Sequence, residues 1–284
     1  MKEMGYYNGQ FVPASDPVIC MNDRGYYFGD GVYEVVRVHK GRCFALSYHM
    51  DRLYRTMREM GIPVRMPPDE LIETHEILVE QSEIQEGYIY LQITRDISPR
   101  QYAYTREVDP PMAMIIRELD EPVEELNEKG VKVITIPDIR WSRCDLSCLN
   151  LVPNVMGVQK AKEKRAYDAI QIRDGIITEA CRSNVYAIKD GIVYTHPADN
   201  FILKGVTRVL MLTRVAPSAG VTVIERKFDK DFLLSCQEVF MTNAVCGIIP
   251  VIKIDREPVG EGVPGKVTRK LQTVYQHLFD EGLA

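Results

Sequence analysis

The chain has 284 residues, of which 45% are hydrophobic and 26% charged, a composition typical of a folded globular protein and not of a disordered one. With 35 lysines and arginines against 40 aspartates and glutamates, the formal net charge is −5, so no basic excess predicts a nucleic-acid partner. No apolar run approaches the ~18 residues of a membrane span. Seven scattered cysteines and the lack of an apolar leader favour a reduced, cytoplasmic protein without a membrane partner.

The first part of the chain carries signals for both strands and helices. Asn8-Gly9, between Tyr6-Tyr7 and a second extended run, predicts an opening hairpin. Met50, Leu53, Met57 and Met60 recur at helical spacing, and Gly61 ends the pattern. The further expected elements, in chain order, are a strand over 31–39, a helix after Pro67-Pro68, and strands over 88–94 and 112–116.

A charged stretch with a proline, 118–122, predicts a link between two domains. We therefore expect an N-terminal α+β domain at residues 1–118, a linker at 119–122 and a C-terminal mixed α/β domain at 123–284. The elements expected beyond the linker are a strand over 131–136, an irregular 141–150 segment, a helix to about 164, hairpins turning at 174–175 and 189–191, a helix from about 206, strands near 221–224, 239–242 and 248–252, and a C-terminal helix from about 265.

Three kinds of reactive site lack their sequence motifs. The five histidines form no His-Glu-x-x-His pair and no Cys-x-x-Cys is present, so we expect no metal site. No Gly-x-Ser-x-Gly elbow positions a serine nucleophile. The glycine-rich fingerprints of dinucleotide and P-loop nucleotide binding are also absent.

Phosphate binding has two candidate segments. Residues 203–208, Leu-Lys-Gly-Val-Thr-Arg, precede an apolar helical run, and the free N–H groups of a first helical turn favour an anion. Arg52, on the first amphipathic helix, could reach inward to a phosphate. A plain helix start and a solvated arginine explain the same residues, so both alternatives stay open.

Two denser clusters of polar residues are also notable. Residues 23–34 combine glycines and aromatic side chains in what reads as a short loop, a pattern typical of packing turns as well as of sites. Residues 177–185 place Glu179 before small and polar residues at a strand edge. A lone glutamate in that position is ordinarily solvated, so neither cluster decides a function by itself.

Together, these segments resemble in content and order the class IV (fold type IV) pyridoxal-phosphate aminotransferases, and within that family the bacterial D-amino-acid (D-alanine) transaminases. The resemblance runs nearly end to end and implies the two-domain, mixed α+β and α/β architecture of fold type IV. It is carried by Asp23-Arg24-Gly25-Tyr26, Phe28-Gly29-Asp30-Gly31-Val32-Tyr33-Glu34-Val35, His49-Met50-Asp51-Arg52-Leu53-Tyr54, Ser98-Pro99-Arg100, Ile139-Arg140-Trp141, Arg143-Cys144-Asp145, Leu149-Asn150-Leu151, Thr178-Glu179, Ser183-Asn184-Val185, Thr195-His196-Pro197-Ala198 and Ile202-Leu203-Lys204-Gly205.

The resemblance implies a binding site for pyridoxal 5′-phosphate. Glu179 would pair with the pyridine nitrogen and keep it protonated, so that the ring acts as an electron sink. Leu203 would lie under the ring. The cofactor phosphate would be held by Arg52 and by Gly205, Val206 and Thr207.

The resemblance also implies a small anionic amino or keto acid as substrate, and a homodimer. Tyr33 would form a trap for the substrate carboxylate with Arg100 and Tyr102, which would cross the interface from the partner subunit. Tyr102 departs from the histidine that is usual in the D-amino-acid group, which leaves the carboxylate selectivity open.

The main departure lies at Ser147, which stands where the family has its Schiff-base lysine. No neighbouring lysine replaces it: Lys160, Lys162 and Lys164 occupy ordinary helical positions, and Lys204 belongs beside the phosphate site. A serine hydroxyl cannot form an imine and is a poor base without an activating partner. Any cofactor would therefore be bound noncovalently, and amino transfer would be impaired or rerouted.

Two further departures concern the cofactor's surroundings. Asn243 and Ala244 stand in a turn where the group has threonines and serines, so Ala244 replaces a hydroxyl donor to the phosphate. Arg182 stands where the family prefers a small serine, and would either intrude on the hydroxyl side of the cofactor or bind a substrate anion.

Three interpretations remain. The first is a transaminase homologue that keeps most of its cofactor pocket but lacks the catalytic lysine. The second is an enzyme without this cofactor, such as a lyase, hydrolase or isomerase, that uses the pocket for a small anion, with Ser147, Cys148, Cys181 and Cys246 as candidate nucleophiles or acids. The third is a noncatalytic homologue, or a transaminase whose lysine was altered to serine.

Overall fold

The computed structural model describes residues 3–16, 18–105 and 107–283. The chain divides into two units, one of Met1–Asp120, Leu146–Asn150 and Gly282–Ala284, and one of Glu121–Asp145 and Leu151–Glu281. We call them the N-terminal and C-terminal units. The domain bounds expected from the sequence, 1–118 and 123–284, stay a prediction. They assign Leu146–Asn150 to the second domain, whereas this segment belongs to the N-terminal unit.

The N-terminal unit consists of a sheet and helices that cover it. Its elements are β1 (Met4–Tyr7), β2 (Gln10–Pro13), α1 (Arg24–Phe28), β3 (Gly31–His39), β4 (Arg42–Cys43), α2 (Leu46–Met60), α3 (Pro68–Ser82), β5 (Glu86–Thr94) and β6 (Met112–Glu118). The six strands are antiparallel in the order β2-β1-β6-β5-β3-β4. The expected opening hairpin is confirmed, with Asn8 and Gly9 in the left-handed region at φ 44° and 92°.

Helix α2 positions one of the predicted site residues. Its apolar positions Met50, Leu53 and Met57 are buried in the core of the N-terminal unit, as their helical spacing predicts. Gly61 ends the helix in a left-handed C-cap at φ 63°. The regularity of α2 places Arg52 one position before the fully buried Leu53, on the margin of the packed face.

The C-terminal unit has a larger, mixed sheet. Its elements are α4 (Val123–Lys129), β7 (Val131–Pro137), α5 (Val152–Glu163), β8 (Asp168–Arg173), β9 (Ile176–Ala180), β10 (Asn184–Lys189), β11 (Ile192–Thr195), α6 (Val206–Leu210), a π-helical turn (Met211–Val215), α7 (Ala216–Ser218), β12 (Val223–Glu225), α8 (Lys230–Leu234), β13 (Glu238–Asn243), β14 (Gly247–Ile254), β15 (Glu257–Pro258) and α9 (Lys266–Glu281). The strand order is β12-β11-β10-β13-β14-β7-β8-β9, with β15 paired to β14. Three pairs are parallel: β7 with β14, β7 with β8, and β11 with β12.

The mixed helix and sheet content confirms the predicted fold class. The sequence missed the short elements α1, β4, α4, α8 and β15, because two to seven residues are too few to show a periodicity. The first part of the 23–34 cluster is thus the helix α1 rather than a loop. In the described ranges, no helix is long and apolar enough to cross a membrane.

Candidate cofactor site

Glu179, on β9, is a buried carboxylate that accepts hydrogen bonds from three other residues. The residue is 5% exposed, which corrects the ordinary expectation of a solvated glutamate at a strand edge. The backbone N–H of Leu203 donates to both carboxylate oxygens at 3.1 Å, and Asn184 Nδ2 donates to Oε2 at 2.9 Å. Arg140 Nη1 donates to Oε1. Burial raises the pKa of Glu179 to about 7, although Arg140 and the Leu203 amide favour the charged form.

Arg140 is fixed by a second carboxylate, Asp138. Arg140 Nε donates to Asp138 Oδ1 at 2.9 Å and Nη2 to Oδ2 at 2.8 Å, and Nη2 also donates to the carbonyl of Phe201 at 3.0 Å. Burial alone would raise the pKa of Asp138, but the hydrogen bonds and charges of Arg140 and Arg173 outweigh it and lower that pKa to about 2. The guanidinium beside Glu179 is therefore held in one orientation by a permanently charged partner.

Asn184, the first residue of β10, connects Glu179 to the segment before α6. Its Nδ2 group donates to Glu179 and also to the carbonyl of Leu203 at 2.9 Å. Its Oδ1 leaves no room for a side chain at Gly205, where an added Cβ would lie 2.5 Å away. The glycine expected at this helix start is therefore required by close packing.

Helix α6 begins at Val206, with Gly205 as its N-cap. Thr207 is 3% exposed, and its Oγ1 donates to the carbonyl of Asn243 at 3.0 Å. The first-turn amides and the Thr207 hydroxyl are therefore located where β13 ends. This brings together Val206, Thr207 and Asn243, as the resemblance implies.

The turn after β13 is closed by its own side chain. Asn243 Oδ1 accepts from the N–H groups of Val245 at 3.0 Å and Cys246 at 2.7 Å, and Asn243 Nδ2 donates to Ser183 Oγ at 3.2 Å. Ala244 is half-buried and offers no side-chain donor. Two backbone N–H groups of this turn thus donate to the Asn243 side chain, which leaves them less available to an anion.

Arg182 binds Glu121 and Tyr167 and makes no hydrogen bond to Glu179. Its Nη1 donates to Glu121 Oε1 at 3.0 Å and its Nη2 to the carbonyl of Tyr167 at 3.2 Å, with the guanidinium 4.7 Å from the centre of the Tyr167 ring. Glu121 also accepts from Cys246 Sγ at 3.0 Å. These contacts hold the guanidinium in the structure, and a role of Arg182 beside the cofactor or a substrate anion stays a prediction.

In the N-terminal unit, Arg52 forms a buried ion pair with Glu34 instead of being solvated. Arg52 Nε donates to Glu34 Oε1 at 2.8 Å and Nη2 to Oε2 at 2.7 Å, while His49 Nδ1 lies 2.7 Å from Oε2. Burial would raise the pKa of Glu34, but Arg52 and His49 outweigh it and lower that pKa. Arg52 is thus fixed by two charge-assisted bonds.

Ser147 is attached to the edge of β3. Its Oγ donates to the carbonyl of Tyr33 at 2.7 Å, and its carbonyl accepts from the N–H of Tyr33 at 2.9 Å. The residue is 1% exposed, and Cys148 forms a β-bridge with Val32. The hydroxyl therefore donates to a peptide carbonyl and not to a base that could activate it.

The remaining candidates for the carboxylate trap lie in the N-terminal unit as well. The Tyr33 ring stacks on Tyr90 with centroids 6.0 Å apart. Arg100 is exposed, and Tyr102 is 81% exposed. Arg100 and Tyr102 are neighbours, with the guanidinium 5.6 Å from the ring centre.

The cysteines proposed as nucleophiles are buried thiols. Burial raises the pKa of Cys181 to about 12 and that of Cys246 to about 12. Cys148 is 3% exposed. Because the thiolate is the nucleophile, the geometry does not favour thiol chemistry at Cys181 or Cys246. Within residues 3–16, 18–105 and 107–283, no cluster of three or more His, Cys, Asp or Glu side chains could hold a metal ion.

Three site residues received no role in the sequence analysis: Arg140, Asn184 and Glu34. All three belong to segments that carry the family resemblance, but their partners are distant in sequence. One usable signal was the Asp138-x-Arg140 spacing directly after a predicted strand. Another was the charged Glu34 inside a β-branched run, since a charge in such a strand is retained where it has a partner.

Comparison with known proteins gives a consistent set of similarities. Residues 31–254 match the family model described as amino-transferase class IV. The chain is 40% identical to a D-alanine aminotransferase of Staphylococcus aureus strain MSSA476 over 276 residues, which covers 97% of each chain. It is also 40% identical to a D-alanine aminotransferase of Bacillus licheniformis over 271 residues, or 95% of each.

Solved structures show the same fold at lower identity. A branched-chain amino acid aminotransferase of Escherichia coli superimposes with a TM-score of 0.91 at 22% identity, covering 98% of this chain and 95% of that one. A second branched-chain amino acid aminotransferase, from T.th. and solved with pyridoxamine 5′-phosphate, gives a TM-score of 0.88 at 24% identity, covering 96% of this chain and 93% of that one.

Proposed function

The chain belongs to the class IV aminotransferase family, and we therefore propose that it binds pyridoxal 5′-phosphate. The cofactor is bound noncovalently. The protein resembles the D-amino-acid transaminases, but its amino transfer is impaired or rerouted. The observation that carries the proposal is the buried Glu179, held by Arg140, Asn184 and the Leu203 amide. Such a buried carboxylate is stabilised further when it meets a cationic partner.

The donor set fits the ring-nitrogen end of the cofactor. Pyridoxal phosphate, when bound, supplies an electron-withdrawing ring that stabilises negative charge at the substrate's α-carbon. Glu179 would present its carboxylate to the ring N–H, with Arg140 holding Oε1 and Asn184 holding Oε2 in place. A cationic nitrogen would favour the charged form of Glu179 and so lower the pKa of its carboxyl group from about 7.

The phosphate end fits in part. The first-turn amides of α6 remain suitable for an anion, whereas the Thr207 hydroxyl already donates its proton to the Asn243 carbonyl at 3.0 Å. The turn at Asn243 and Ala244 contributes less than a hydroxyl-rich turn, because Asn243 Oδ1 already accepts two of its amides. Arg52 as a further phosphate ligand stays a prediction from the resemblance. We therefore expect weaker retention of the cofactor than in relatives that have the hydroxyl groups.

Ser147 explains why we propose impaired chemistry. A serine hydroxyl cannot form an imine with the cofactor, and Ser147 Oγ donates to the Tyr33 carbonyl at 2.7 Å instead of to a base that could activate it. A positioned acid or base typically contributes about 10²–10⁴-fold to a rate. The missing amine removes a contribution of that size, together with the covalent anchor.

The substrate class and the assembly are part of the proposal. The D-alanine aminotransferases at 40% identity support a small amino or keto acid as substrate. Tyr33, Arg100 and Tyr102 as its carboxylate trap rest on the family resemblance alone. We further propose a homodimer in which Arg100 and Tyr102 serve the partner's site. The seven cysteines are free thiols, in keeping with the reducing, cytoplasmic compartment that we propose.

Calorimetric titration of the purified protein with pyridoxal 5′-phosphate tests the proposal. We expect saturable binding at one site per chain. Glu179→Gln removes the charge opposite the ring nitrogen and should weaken binding about ten-fold or more. The exposed Glu261→Gln is the matched control and should bind as the wild type does. Equal affinities of all three proteins would contradict the proposed role of Glu179.

Ser147→Lys tests the missing anchor directly. We expect this variant, after borohydride treatment with the cofactor, to gain the mass of one reduced cofactor on the peptide that contains residue 147. The wild type should gain none on that peptide. Recovery of D-alanine transamination would show that serine alone blocks the reaction; no adduct at residue 147 would count against an intact cofactor pocket.

The closed turn at Asn243 favours a second candidate, a protein that uses the pocket for a small anion without the cofactor. Its amides bind the asparagine side chain, so the turn is folded without a phosphate. This candidate predicts no binding of pyridoxal phosphate, but a higher Tm with a small carboxylate such as pyruvate.

A further inference from the structure

Helix α1, in the 23–34 cluster, has no part in the proposed function, yet it is anchored at both ends. At its start, Asp23 Oδ1 accepts from Gly25 N at 2.7 Å and Oδ2 accepts from Thr94 Oγ1 at 2.9 Å. It ends at Gly29, whose φ of 64° is left-handed. A helix of five residues is not stable by itself, so these bonds fix its position.

Arg24, on α1, binds the backbone of the loop that follows Arg100. Its Nη1 donates to the carbonyl of Gln101 at 2.6 Å and its Nη2 to that of Tyr102 at 3.3 Å. Its Nε donates to Asp30 Oδ2 at 2.9 Å, and Arg24 is 3% exposed. The two carbonyls directly after Arg100 are therefore tied to a buried, charge-paired arginine.

Asp30 is shared with a second arginine that holds the opposite side of the loop. Arg95 Nε donates to Asp30 Oδ2 at 2.9 Å, and its guanidinium lies 3.7 Å from the ring centre of Tyr104. Arg95 also donates to the carbonyls of Met60 and Gly61 at 2.9 Å each. The loop around Arg100 is thus held from α1 on one side and from the end of α2 on the other.

Arg100 itself rests on aromatic faces. Its guanidinium lies 5.1 Å from the ring centre of Phe28 and 5.6 Å from that of Tyr102, and those rings are 5.5 Å apart. In the part of the chain that the structure describes, no carboxylate forms an ion pair with Arg100, in contrast to Arg24 and Arg95. Stacking leaves the N–H donors of a guanidinium free for an anion.

We propose that Arg24 and Phe28 are positioning residues that hold the guanidinium of Arg100 as a preformed contact for the ligand's carboxylate. The inference rests on the proposed function in taking a carboxylate as the ligand of Arg100. Arg24 fixes the backbone that follows Arg100, and the Phe28 ring supports its guanidinium from 5.1 Å. Less side-chain freedom is then lost when the carboxylate binds.

The first test compares two ligands that differ only in the carboxylate. Pyruvate and its methyl ester are titrated calorimetrically into the protein loaded with pyridoxamine 5′-phosphate, and into the protein without it. We expect Arg100→Met to weaken pyruvate binding about ten-fold or more. Phe28→Leu should weaken it about two- to five-fold, the usual size of an exposed cation–π contact. Methyl pyruvate should bind equally to all variants.

The double variant tells positioning from a general structural effect. If Phe28 acts through Arg100, Phe28→Leu has no further effect on pyruvate affinity in an Arg100→Met background. Phe11→Leu, a ring in the first hairpin that packs on Tyr6, is the control and should leave pyruvate binding unchanged. Independent, additive losses from Phe28→Leu and Arg100→Met would overturn the positioning role.

The second test needs no ligand and follows trypsin cleavage after Arg100 by mass spectrometry under native conditions. Phe28→Leu and Arg24→Lys should both speed this cleavage several-fold, while the rest of the digestion pattern stays unchanged. Arg24→Lys keeps the positive charge beside Asp30 but cannot reach both carbonyls. Cleavage at the wild-type rate in both variants would overturn the proposal.

The two tests keep this inference separate from the proposed function. If the cofactor proposal is wrong, the wild type does not bind pyridoxamine 5′-phosphate. The affinities for pyruvate and methyl pyruvate are then compared in the protein without cofactor. A wild type that binds pyruvate and its ester equally would overturn the carboxylate contact, whatever the trypsin result.

Discussion

At Glu179 the balance of charges decides what the residue can do. Two buried carboxylates, Glu179 and Asp138, face Arg140, and Arg173 lies 3.1 Å from Asp138. Asp138 has its pKa lowered to about 2 and is permanently charged. Burial dominates at Glu179 and raises its pKa to about 7. One carboxylate is therefore structural and the other can change its charge when a cation binds.

The raised pKa of Glu179 predicts a pH dependence of stability. The ordinary pKa of 4.5 applies to the unfolded chain and about 7 to the folded one. Between these values only the folded state holds the proton, so this contribution to stability is complete below pH 4.5 and is lost as the pH rises through 7. The loss is at most roughly 3 kcal/mol. We expect the free energy of unfolding of the wild type, minus that of Glu179→Gln, to fall as the pH rises from about 5 to about 8 in urea titrations; a flat difference would contradict the assignment.

A second prediction concerns the buried pair of Arg52 and Glu34. Arg52→Met leaves the carboxylate of Glu34, which is 0% exposed, without its guanidinium and should lower the free energy of unfolding by about 3–5 kcal/mol. Arg58→Met, at an exposed position of the same helix, should cost about 0.5 kcal/mol or less. Urea denaturation measures both. The double variant Arg52→Met, Glu34→Gln should recover part of the loss; no recovery would exclude an uncompensated charge as its cause.

At the scale of elements, the start of α6 depends on the neighbouring strands. Asn184 at the start of β10 binds Glu179 on β9 and the Leu203 carbonyl before α6, and Thr207 on α6 binds the end of β13. Three strand ends and one helix start are thus connected by side-chain bonds. Ser147 makes a comparable connection in the N-terminal unit, where it attaches to β3.

Gly205→Ala tests the packing at the start of α6. The added Cβ would lie 2.5 Å from Asn184 Oδ1, so either the helix start or Asn184 must move. We expect a loss of about 1–3 kcal/mol in the free energy of unfolding, measured by urea denaturation. Gly5→Ala is the matched control, since its Cβ would meet no atom nearer than 3.3 Å. Equal losses in the two variants would contradict a special role for the contact between Gly205 and Asn184.

At the scale of the whole molecule, the surface carries large exposed apolar side chains. On α5, Val152, Val155 and Met156 are 68%, 65% and 57% exposed at helical spacing. Clustered apolar side chains of this kind are typical of an interaction site. The proposed homodimer would bury these side chains.

We expect sedimentation velocity to give a dimer at micromolar concentration, and Val155→Asp to shift it toward monomer because the variant places a charge on the apolar face of α5. The exposed Glu163→Gln, on the same helix, is the control and should sediment as the wild type does. A wild type that is monomeric at every concentration measured would contradict the proposed assembly.

The sequence by itself determined the long elements and the family, and it carries the prediction that Ser147 stands in place of the family's lysine. The helical spacing of α2 and the β-branched run of β3 agree with the structure, because both are local properties of segments nine residues long or longer. The segments that carry the resemblance also give the roles proposed for Glu179 and Thr207, and these roles stay predictions.

The tertiary structure alone decided how the polar side chains are paired. Arg140 with Glu179, Arg52 with Glu34, Arg182 with Glu121 and Arg24 with the carbonyls after Arg100 all join residues 18 to 78 positions apart. No local pattern encodes such partners, because the desolvation that makes an ion pair necessary exists only once the core has formed.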